Sequence, residues 1–399
     1  MRIGPHATRA DRHGVARITI KRRVALEVTA WAPGYGARTV RQPFRQRRLV
    51  TIRLYQPRLQ WTMYGATPSR AQAQDWGDLR PPFRVAWSRG VDSLIEFPAV
   101  VSDGVAYIGN YRATIHALSM ADGSVLWRHV TPGGKMASSP AVWDASVLVH
   151  GMDGHVWVLD RHTGRLRWQL AIGSPIESSP VVHDGVDYFG AWNGTVYALD
   201  LRTHRLRWTY RGGYKITSSA ALAGGSVFIG DYGGRLLALS QRTGTLRFAR
   251  SVDGRVYGTP AVAGGRVFVP SSTGGSLTAF TTSGRYLWRL GTGSYVYSSP
   301  AAWGGRVFFG SYNGVFYGVS AASGRVLWSV GTGGAISGAA VVVGGVAYAG
   351  SFSHSIYGVD ARSGRVLLRF PHGEYVPVSG NGARLLLHGY SRLYAVTPR

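Results

Sequence analysis

A bulky apolar residue, most often tryptophan, recurs at a nearly constant spacing along this chain, and the spacing limits the folds open to it. Successive markers stand 40 or 41 residues apart, beginning in the first quarter of the chain. The tryptophan positions are Trp87, Trp127, Trp168, Trp208, Trp288 and Trp328. Phe248 and Leu368 keep the same register. A fixed period of this length predicts a repeat architecture.

Tight-turn signals divide each repeat into short segments. In the unit that ends at Trp328, the dipeptides Gly304-Gly305 and Asn313-Gly314 separate runs of alternating apolar residues. Glycine and asparagine adopt the positive φ angles that two-residue hairpin turns need, so each unit is predicted to form four short antiparallel strands. The 55 glycines are therefore interpreted as turn residues and not as a sign of disorder.

Four strands of this size cannot bury both faces of a sheet, so neighbouring units must stack. We predict an all-β fold, an eight-bladed β-propeller of four-stranded antiparallel blades, in which each recurrent tryptophan docks on the next blade. Seven complete units end at Leu368, and an eighth begins at Tyr375 and has only three strands. Residues 83–88 carry Trp87 in register, so this N-terminal strand is predicted to complete the last blade and close the ring.

The residues before the propeller have a different sequence pattern. Three alternating runs, at 16–20, 25–32 and 49–54, flank a Pro-Gly turn, as is typical of strands. They resemble small β-sandwich modules of the carboxypeptidase-regulatory-like and PEGA type, with the first strand missing. The predicted organisation is a basic partial β-sandwich over 1–56, a linker over 57–82 and the propeller over 83–399.

The charge and the cysteine content limit the functions that are possible for this chain. The net charge is +26, and residues 1–60 hold 14 basic and two acidic residues. This favours either a polyanion-binding surface or, more simply, arginines on solvated faces, because the propeller arginines mostly occupy turns.

The absence of cysteine excludes disulfides, thiolate catalysis and Cys-ligated metals. Neither a signal peptide nor an apolar run of membrane-spanning length is visible, so any membrane association is expected through a segment absent from this chain.

Two motifs recur with the tryptophan. One is SSPAV at 138–142, and the other is VLDRHTGRLRW at 158–168 and GVSAASGRVLW at 318–328. They resemble the PQQ-type (quinoprotein-like) β-propeller repeat, whose docking motif is A-x-D-x-x-T-G-x-x-x-W, and the resemblance covers residues 83–396. One branch of that family, the quinoprotein dehydrogenases, binds pyrroloquinoline quinone and Ca²⁺ over the channel with a vicinal cysteine pair. The BamB-like branch is a bare ring that binds proteins, and the lack of cysteine and of long insertions favours it.

The candidate binding face lies at one end of the channel. Because the first strand of a blade lines the channel, residues just before each SSP-like element are predicted to face this end. These candidates are Glu96, Lys135, Glu177, Lys215, Arg255 and Tyr297. Glu96 and Glu177 could serve as an acid–base pair if they lie close together, but a salt-bridged rim with Lys135 is the favoured interpretation.

A second candidate set is aromatic and occupies the second turn of each blade on the same face. Its members are Tyr111, Trp192, Tyr232, Tyr312, Phe352 and Tyr390. Aromatic side chains presented by loops on a rigid scaffold are common binding anchors. The competing interpretation is that they pack against adjacent loops. We predict no catalytic residue and no metal site.

Three hypotheses follow for function. The leading one is a non-enzymatic binding or scaffold propeller, extracytoplasmic and monomeric, that contacts other proteins or a surface ligand through the channel mouth and needs no cofactor. The first alternative is a relative of the quinoprotein dehydrogenases, with pyrroloquinoline quinone and Ca²⁺. The second is a polyanion- or glycan-binding surface protein; nucleic acid is not expected as a partner.

Overall fold

A computed structural model describes residues 2–3, 6–11, 15–18, 26–42, 51–132 and 134–399. The chain divides into two compact units, Met1–Gln60 and Trp61–Arg399. The described residues contain one short 3-10 helix, Pro57–Leu59, and otherwise strands and turns. No helix in these ranges has the length and apolar character to span a membrane. The prediction of an all-β chain is confirmed.

The first unit contains a four-stranded sheet of order β2-β1-β3-β4. Its strands are β1 (Arg2–Ile3), β2 (His6–Ala7), β3 (Leu26–Ala30) and β4 (Arg38–Gln42). The alternating run predicted at 25–32 contains β3, whereas residues 16–18 and 51–54 are not in strands. Residues 19–20 and 49–50, the remainder of the other two predicted runs, lie outside the described residues. The partial sandwich therefore stays a prediction.

The second unit begins with two strands that join later sheets, β5 (Ala73–Gln74) and β6 (Phe83–Gly90). Blades 1 and 2 consist of β7 (Val100–Ser102), β8 (Val105–Gly109), β9 (Thr114–Ser119), β10 (Val125–Val130), β11 (Ala141–Trp143), β12 (Ser146–His150), β13 (His155–Asp160) and β14 (Leu166–Ala171). Blades 3 and 4 consist of β15 (Val181–His183), β16 (Val186–Gly190), β17 (Thr195–Asp200), β18 (Arg205–Arg211), β19 (Ala221–Ala223), β20 (Ser226–Gly230), β21 (Arg235–Ser240) and β22 (Leu246–Ser251).

The remaining strands repeat this pattern. Blades 5 and 6 consist of β23 (Ala261–Ala263), β24 (Arg266–Ser271), β25 (Ser276–Thr281), β26 (Tyr286–Gly291), β27 (Ala301–Trp303), β28 (Arg306–Gly310), β29 (Val315–Ser320) and β30 (Val326–Gly331). Blades 7 and 8 contain β31 (Val341–Val343), β32 (Val346–Ser351), β33 (Ser355–Asp360), β34 (Val366–Pro371), β35 (Gly373–Asn381), β36 (Arg384–Gly389) and β37 (Arg392–Pro398).

The sheets close into a ring. Strand β6 pairs antiparallel with β37, with Trp87 opposite Ala395, so the N-terminal strand completes the last sheet as predicted. The short innermost strands of successive blades contact one another, and β35 contacts β7. The first and last parts of the second unit are thus joined in one sheet, which closes the ring of blades.

The recurrent tryptophan joins each blade to the next. In five junctions its indole Nε1 donates a hydrogen bond of 3.0–3.1 Å to a backbone carbonyl of the following blade. The pairs are Trp87 with Met120, Trp127 with Arg161, Trp208 with Gln241, Trp288 with Ala321 and Trp328 with Ala361. Each indole also lies on a turn glycine of that blade, and a Cβ added at Gly164 would stand 2.5 Å from the Trp127 ring. The motif's glycine is therefore needed for space as well as for its positive φ.

The junction at Trp168 differs because the turn glycine is replaced. His204 occupies that position with a φ of 58°. Its imidazole stacks on the Trp168 indole, with ring centroids 4.3 Å apart and planes 24° from parallel. A side chain in the place of the glycine thus keeps the apolar contact but fills the space that the indole uses at the other junctions.

The serines of the SSP motif form a second connection, nearer the channel. The backbone N–H of Ser139 donates to Ser179 Oγ at 2.9 Å, and Ser179 N–H donates to Ser219 Oγ at 2.8 Å. Thr259 and Ser299 continue the series, with distances of 3.2 and 2.8 Å. These hydroxyls lie on neighbouring blades, so the motif recurs because each repeat supplies an acceptor to the one before it.

The region predicted as a linker is packed into the second unit. The sequence analysis places a linker at 57–82, but the structure brings residues 61–82 into the compact unit of the blades. We call residues 61–74 the inner belt. Its carbonyls accept hydrogen bonds from innermost strands of six blades, namely from the N–H groups of Val101, Val142, Leu222, Val262, Ala302 and Val342, at 2.7–2.9 Å. An innermost strand has an unpaired backbone edge, and the belt satisfies it.

Arg70 fixes the belt to the ring. Its guanidinium is fully buried and donates to Ala220 O at 2.9 Å, to Ser179 O at 3.0 Å and to Pro180 O at 2.8 Å. It also donates to the carbonyl of Tyr64 within the belt. Burial lowers the pKa of Arg70 to about 10. The side chain therefore stays charged at neutral pH and links the belt to blades 3 and 4.

We expect Arg70→Met to lower the free energy of unfolding by about 3–5 kcal/mol, because methionine leaves four buried carbonyl groups without their donor. Arg112→Met, at an exposed arginine, is the matched control and should change it by less than about 0.5 kcal/mol. The measurement is equilibrium unfolding in urea. Equal effects in the two variants would show that Arg70 does not anchor the belt.

A glycine pair tests the tryptophan junction. Gly164 and Gly173 have similar positive φ angles, 69° and 76°, but only Gly164 lies under an indole. Gly173→Ala should cost about 1–2 kcal/mol through its backbone conformation alone. Gly164→Ala should cost about 1–3 kcal/mol more, because the new Cβ displaces Trp127. Thermal unfolding compares the two, and an equal loss would contradict the docking role of the indole.

Candidate functional site

Backbone hydrogen bonds bring the two predicted sets of candidates to one end of the channel. We call the residues just before each innermost strand the lead-in segment, and the turn between the second and third strands the tip. The N–H of Tyr111 donates to Leu94 O at 2.9 Å, and the N–H of Trp192 donates to Pro175 O at 3.0 Å. Tyr232, Tyr312 and Phe352 make the same contact with Lys215, Tyr295 and Ala335. Tips and lead-in segments therefore share one mouth of the channel.

The structure separates the charged candidates into two rings. In each lead-in segment a buried apolar residue, such as Ile176 or Val256, lies between an outer and an inner position. The outer positions include Lys135, Lys215, Arg255 and Tyr295, and the inner ones include Glu96, Glu177, Thr217, Tyr257, Tyr297 and Ser337. The sequence analysis treats its six candidates as one mixed set, whereas only Glu96, Glu177 and Tyr297 of that set line the cavity.

The inner positions surround a cavity of about 350 Å³. Tyr64 of the inner belt also lines it and contacts Phe97 edge to face, with ring centroids 6.1 Å apart. Burial raises the pKa of Tyr64, so its hydroxyl is neutral. Gln72, also in the belt, donates to that hydroxyl at 3.3 Å. The belt thus supplies the floor of the cavity.

Two carboxylates in the cavity have different environments. Glu177 is buried and accepts hydrogen bonds from the Tyr257 hydroxyl at 2.5 Å and from Trp192 Nε1 at 3.0 Å. Glu96 is half-buried, and burial, together with the charge of Glu177, raises the pKa of Glu96 to about 7. Burial and Glu177 also raise the pKa of Tyr257. Glu177 is held in place by its donors, whereas Glu96 titrates near neutral pH.

The cations of the mouth stack on aromatic rings. Lys215 Nζ lies 3.3 Å from the centroid of Trp192 and 5.0 Å from that of Tyr232. Arg255 lies over Tyr232 at 5.6 Å, and Lys135 lies over Tyr111 at 5.4 Å. Partial burial lowers the pKa of Lys215.

The rim is not salt-bridged as the sequence analysis favoured. Within the described part of the chain, no ion pair involves these three cations, Glu96 or Glu177. The physical reason is the separation of the outer and inner positions, because the intervening buried residue turns the cations away from the cavity. Aromatic faces at the tips then hold the cations.

The aromatic candidates form a continuous arc over blades 5 to 8. Tyr257 contacts Tyr297 at 5.5 Å between centroids, and Tyr297 contacts Tyr312 at 5.0 Å. Phe352 extends the arc, 6.0 Å from Tyr312, and meets Tyr375 at 5.6 Å. Tyr111, Trp192 and Phe352 are each 37% exposed, and Tyr390 is 53% exposed. The tips therefore pack on one another and still present apolar area to solvent.

Tyr64, Thr217 and Ser337 are lining residues that the sequence analysis does not single out. The sequence could have identified Thr217 and Ser337 as lining residues, because they hold the same repeat position as Glu177 and Tyr297 and each stands 40 residues from its neighbour in that series. No sequence pattern identifies Tyr64 as a lining residue, since it lies in the region predicted as a linker and its position depends on the belt.

The cavity does not suit the quinone cofactor of the alternative hypothesis. Pyrroloquinoline quinone carries carboxylates, and the charged residues that line the cavity are Glu96 and Glu177, which repel such a ligand. The described residues also contain no cluster of three His, Asp or Glu side chains suited to a metal ion. No reaction step through that cofactor is derived.

Comparison with known proteins places the chain among propellers of one family. A family model described as "Outer membrane protein assembly factor BamB" matches residues 51–211 and 192–398. A relative from Yersinia pestis, "Outer membrane protein assembly factor BamB", is 34% identical over 83 residues, which is 19% of this chain and 21% of that protein. The matched stretch thus spans about a fifth of that relative.

Solved structures agree on the fold. BamB from Moraxella catarrhalis is similar with a TM-score of 0.67 and 18% identity, over 79% of this chain and 98% of that one. Quinohemoprotein alcohol dehydrogenase from Comamonas testosteroni reaches 0.71 at 13% identity, over 85% and 80%. The computationally designed Ika8 protein reaches 0.71 at 18% identity, over 79% and 100%. These likenesses confirm the predicted β-propeller, and the family match shows that the chain belongs to the family described as outer membrane protein assembly factor BamB.

Proposed function

We propose that this chain is a non-enzymatic scaffold that acts outside the cytoplasm and holds a protein partner at the channel mouth. The observation that carries the proposal is the set of exposed aromatic tips, Tyr111, Trp192, Phe352 and Tyr390, at one end of a rigid ring. Large aromatic side chains on a fixed scaffold bind with little loss of conformational entropy, and they dominate many protein interfaces.

The cations of the mouth add to this face. Lys135, Lys215 and Arg255 lie over the rings of the tips, so a partner meets apolar area and positive charge together. Arginine and aromatic residues are enriched at the centres of protein interfaces. A partner with aliphatic and acidic side chains would complement this surface.

The family supports the cellular setting. The family and the Yersinia pestis relative are both described as outer membrane protein assembly factors. We infer that this chain serves the same process, as a holder of protein partners outside the cytoplasm. The proposal needs no cofactor and assigns no reaction to Glu177, whose oxygens accept hydrogen bonds from Tyr257 and Trp192.

Removal of three aromatic tips should abolish partner capture. The test variant is Tyr232→Ala, Tyr312→Ala and Tyr390→Ala together, and cross-linked complexes are quantified from cells of the source organism. We expect recovery to fall about tenfold or more, since hot-spot residues each contribute about 2 kcal/mol or more. The control removes Leu166, Leu206 and Tyr286, which are exposed on outermost strands, and should leave recovery unchanged. Full capture by a folded test variant would refute the assignment.

Added pyrroloquinoline quinone with Ca²⁺ should leave the melting temperature unchanged. A ligand that binds the folded state raises Tm by mass action, and the acidic cavity is unsuited to this one. Differential scanning fluorimetry at about 1 mM cofactor measures the shift, with Ca²⁺ alone as control. A rise of several degrees with the quinone, absent with Ca²⁺ alone, would favour the dehydrogenase-like alternative.

A further inference from the structure

We propose that the channel cavity binds a single cationic nitrogen group, an ammonium or a guanidinium, between Glu96 and the tyrosines of the opposite wall. The cavity is a site in its own right, because it lies inside the ring of tips and is lined by the inner positions of the lead-in segments. For its charge preference the inference rests on the cavity alone. For the natural source of the amine it rests on the proposed function.

The cavity is accessible from the mouth and covered at the floor. Tyr64 and Phe97 pack together as part of the lining, and the belt beyond them is hydrogen-bonded to six blades. Arg70 holds this floor through buried bonds to blades 3 and 4. A ligand therefore enters past the aromatic tips.

The charge inside the cavity is negative. Glu96 and Glu177 are the carboxyl groups of the lining, and burial, together with the charge of Glu177, raises the pKa of Glu96. In the described structure, Glu177 has two hydrogen-bond donors but Glu96 has no hydrogen-bond or ion-pair partner. A cation placed between them would supply the missing partner and relieve their repulsion.

Among the residues that the structure describes, the cations nearest the cavity do not take this place. Lys215 lies 3.3 Å from the Trp192 ring and Arg255 lies over Tyr232, both outside the set of lining residues. The side chain at the inner position of the second blade is the small, neutral Ala137. Within the described residues Glu96 therefore has no cationic partner, and we infer that another molecule supplies it.

The opposite wall suits a cation. Tyr257 and Tyr297 meet edge to face at 82°, and Tyr312 and Phe352 follow along the arc. Aromatic faces attract ammonium and guanidinium groups, most strongly where water is displaced. Because the Tyr257 hydroxyl is bound to Glu177, its ring is fixed in orientation. The cavity thus combines carboxylates on one side with aromatic rings on the other.

The volume limits what enters. About 350 Å³ lies at the lower end of the range for small-molecule pockets. It accommodates the end of a lysine or arginine side chain, or a small free amine, but not a folded segment. The proposed partner would insert one basic side chain while its surrounding residues cover the tips.

The test uses pairs of probes of similar size, one member cationic and the other neutral. n-Butylammonium and n-butanol are titrated into the full-length protein at pH 8, where Glu96 is largely ionised, and binding is followed by calorimetry. A second pair, capped Gly-Lys-Gly and capped Gly-norleucine-Gly peptides, distinguishes a side chain from a free amine. We expect the charged member of at least one pair to bind and its neutral counterpart to bind at least about tenfold more weakly.

Two isosteric variants locate the site. Glu96→Gln and Glu177→Gln should each weaken the charged probe about tenfold, while Asp184→Asn, at a carboxylate that is 87% exposed, should leave its affinity within about twofold. At position 177, glutamine keeps one acceptor oxygen for Trp192 Nε1, and its NH2 group can donate to the hydroxyl oxygen of Tyr257. An unchanged Tm verifies folding. If Glu177→Gln fails to fold, Glu96→Gln decides alone.

The outcomes separate the two proposals. Binding by the lysine peptide alone assigns the amine to a partner's side chain, and equal binding by butylammonium assigns it to a free amine; both support the site. Equal affinity for charged and neutral probes, no binding by either amine, or full binding by Glu96→Gln overturns it. Loss of partner capture in the aromatic triple variant, without amine binding, would leave the proposed function standing and refute only this inference.

Discussion

The contact on which the rest of the structure depends is the indole of one blade lying on the turn glycine of the next. A single four-stranded sheet is too small to be stable, so its burial must come from its neighbours. The indole supplies apolar area and an N–H group, and the next blade supplies a glycine without a side chain and a backbone carbonyl. At Trp127 these partners are Gly164 and the carbonyl of Arg161. Repetition of this contact fixes the angle between blades and so closes the ring.

Closure creates a channel, and the inner belt makes its two ends different. Innermost strands have a free backbone edge toward the axis, and the belt binds that edge in six blades. Arg70 fixes the belt to blades 3 and 4. One end of the channel is thereby covered by the inner belt. The other end keeps the aromatic tips and the acidic cavity. A ring of similar repeats thus acquires a single binding face.

The fold was largely predictable, because the tryptophan period and the hairpin dipeptides are repeated signals that support one another. The site was predictable only in part. Repeat register placed Glu96, Glu177 and the tips at one mouth, but it did not show that Lys215 and Arg255 face away from the cavity. That depends on the alternation of a short extended segment around one buried residue. The role of Tyr64 could not be predicted either, since it lies in the region predicted as a linker and its place depends on the strand edges that bind the inner belt.

The central claim is that partners meet this molecule at the channel mouth. The most direct measurement places a photo-crosslinking amino acid at Tyr390, which is exposed at the mouth, or at Tyr286, which is exposed on an outermost strand, in living cells of the source organism. The account predicts a discrete cross-linked protein from position 390 and none from position 286. Cross-links from position 286 with none from position 390 would contradict it.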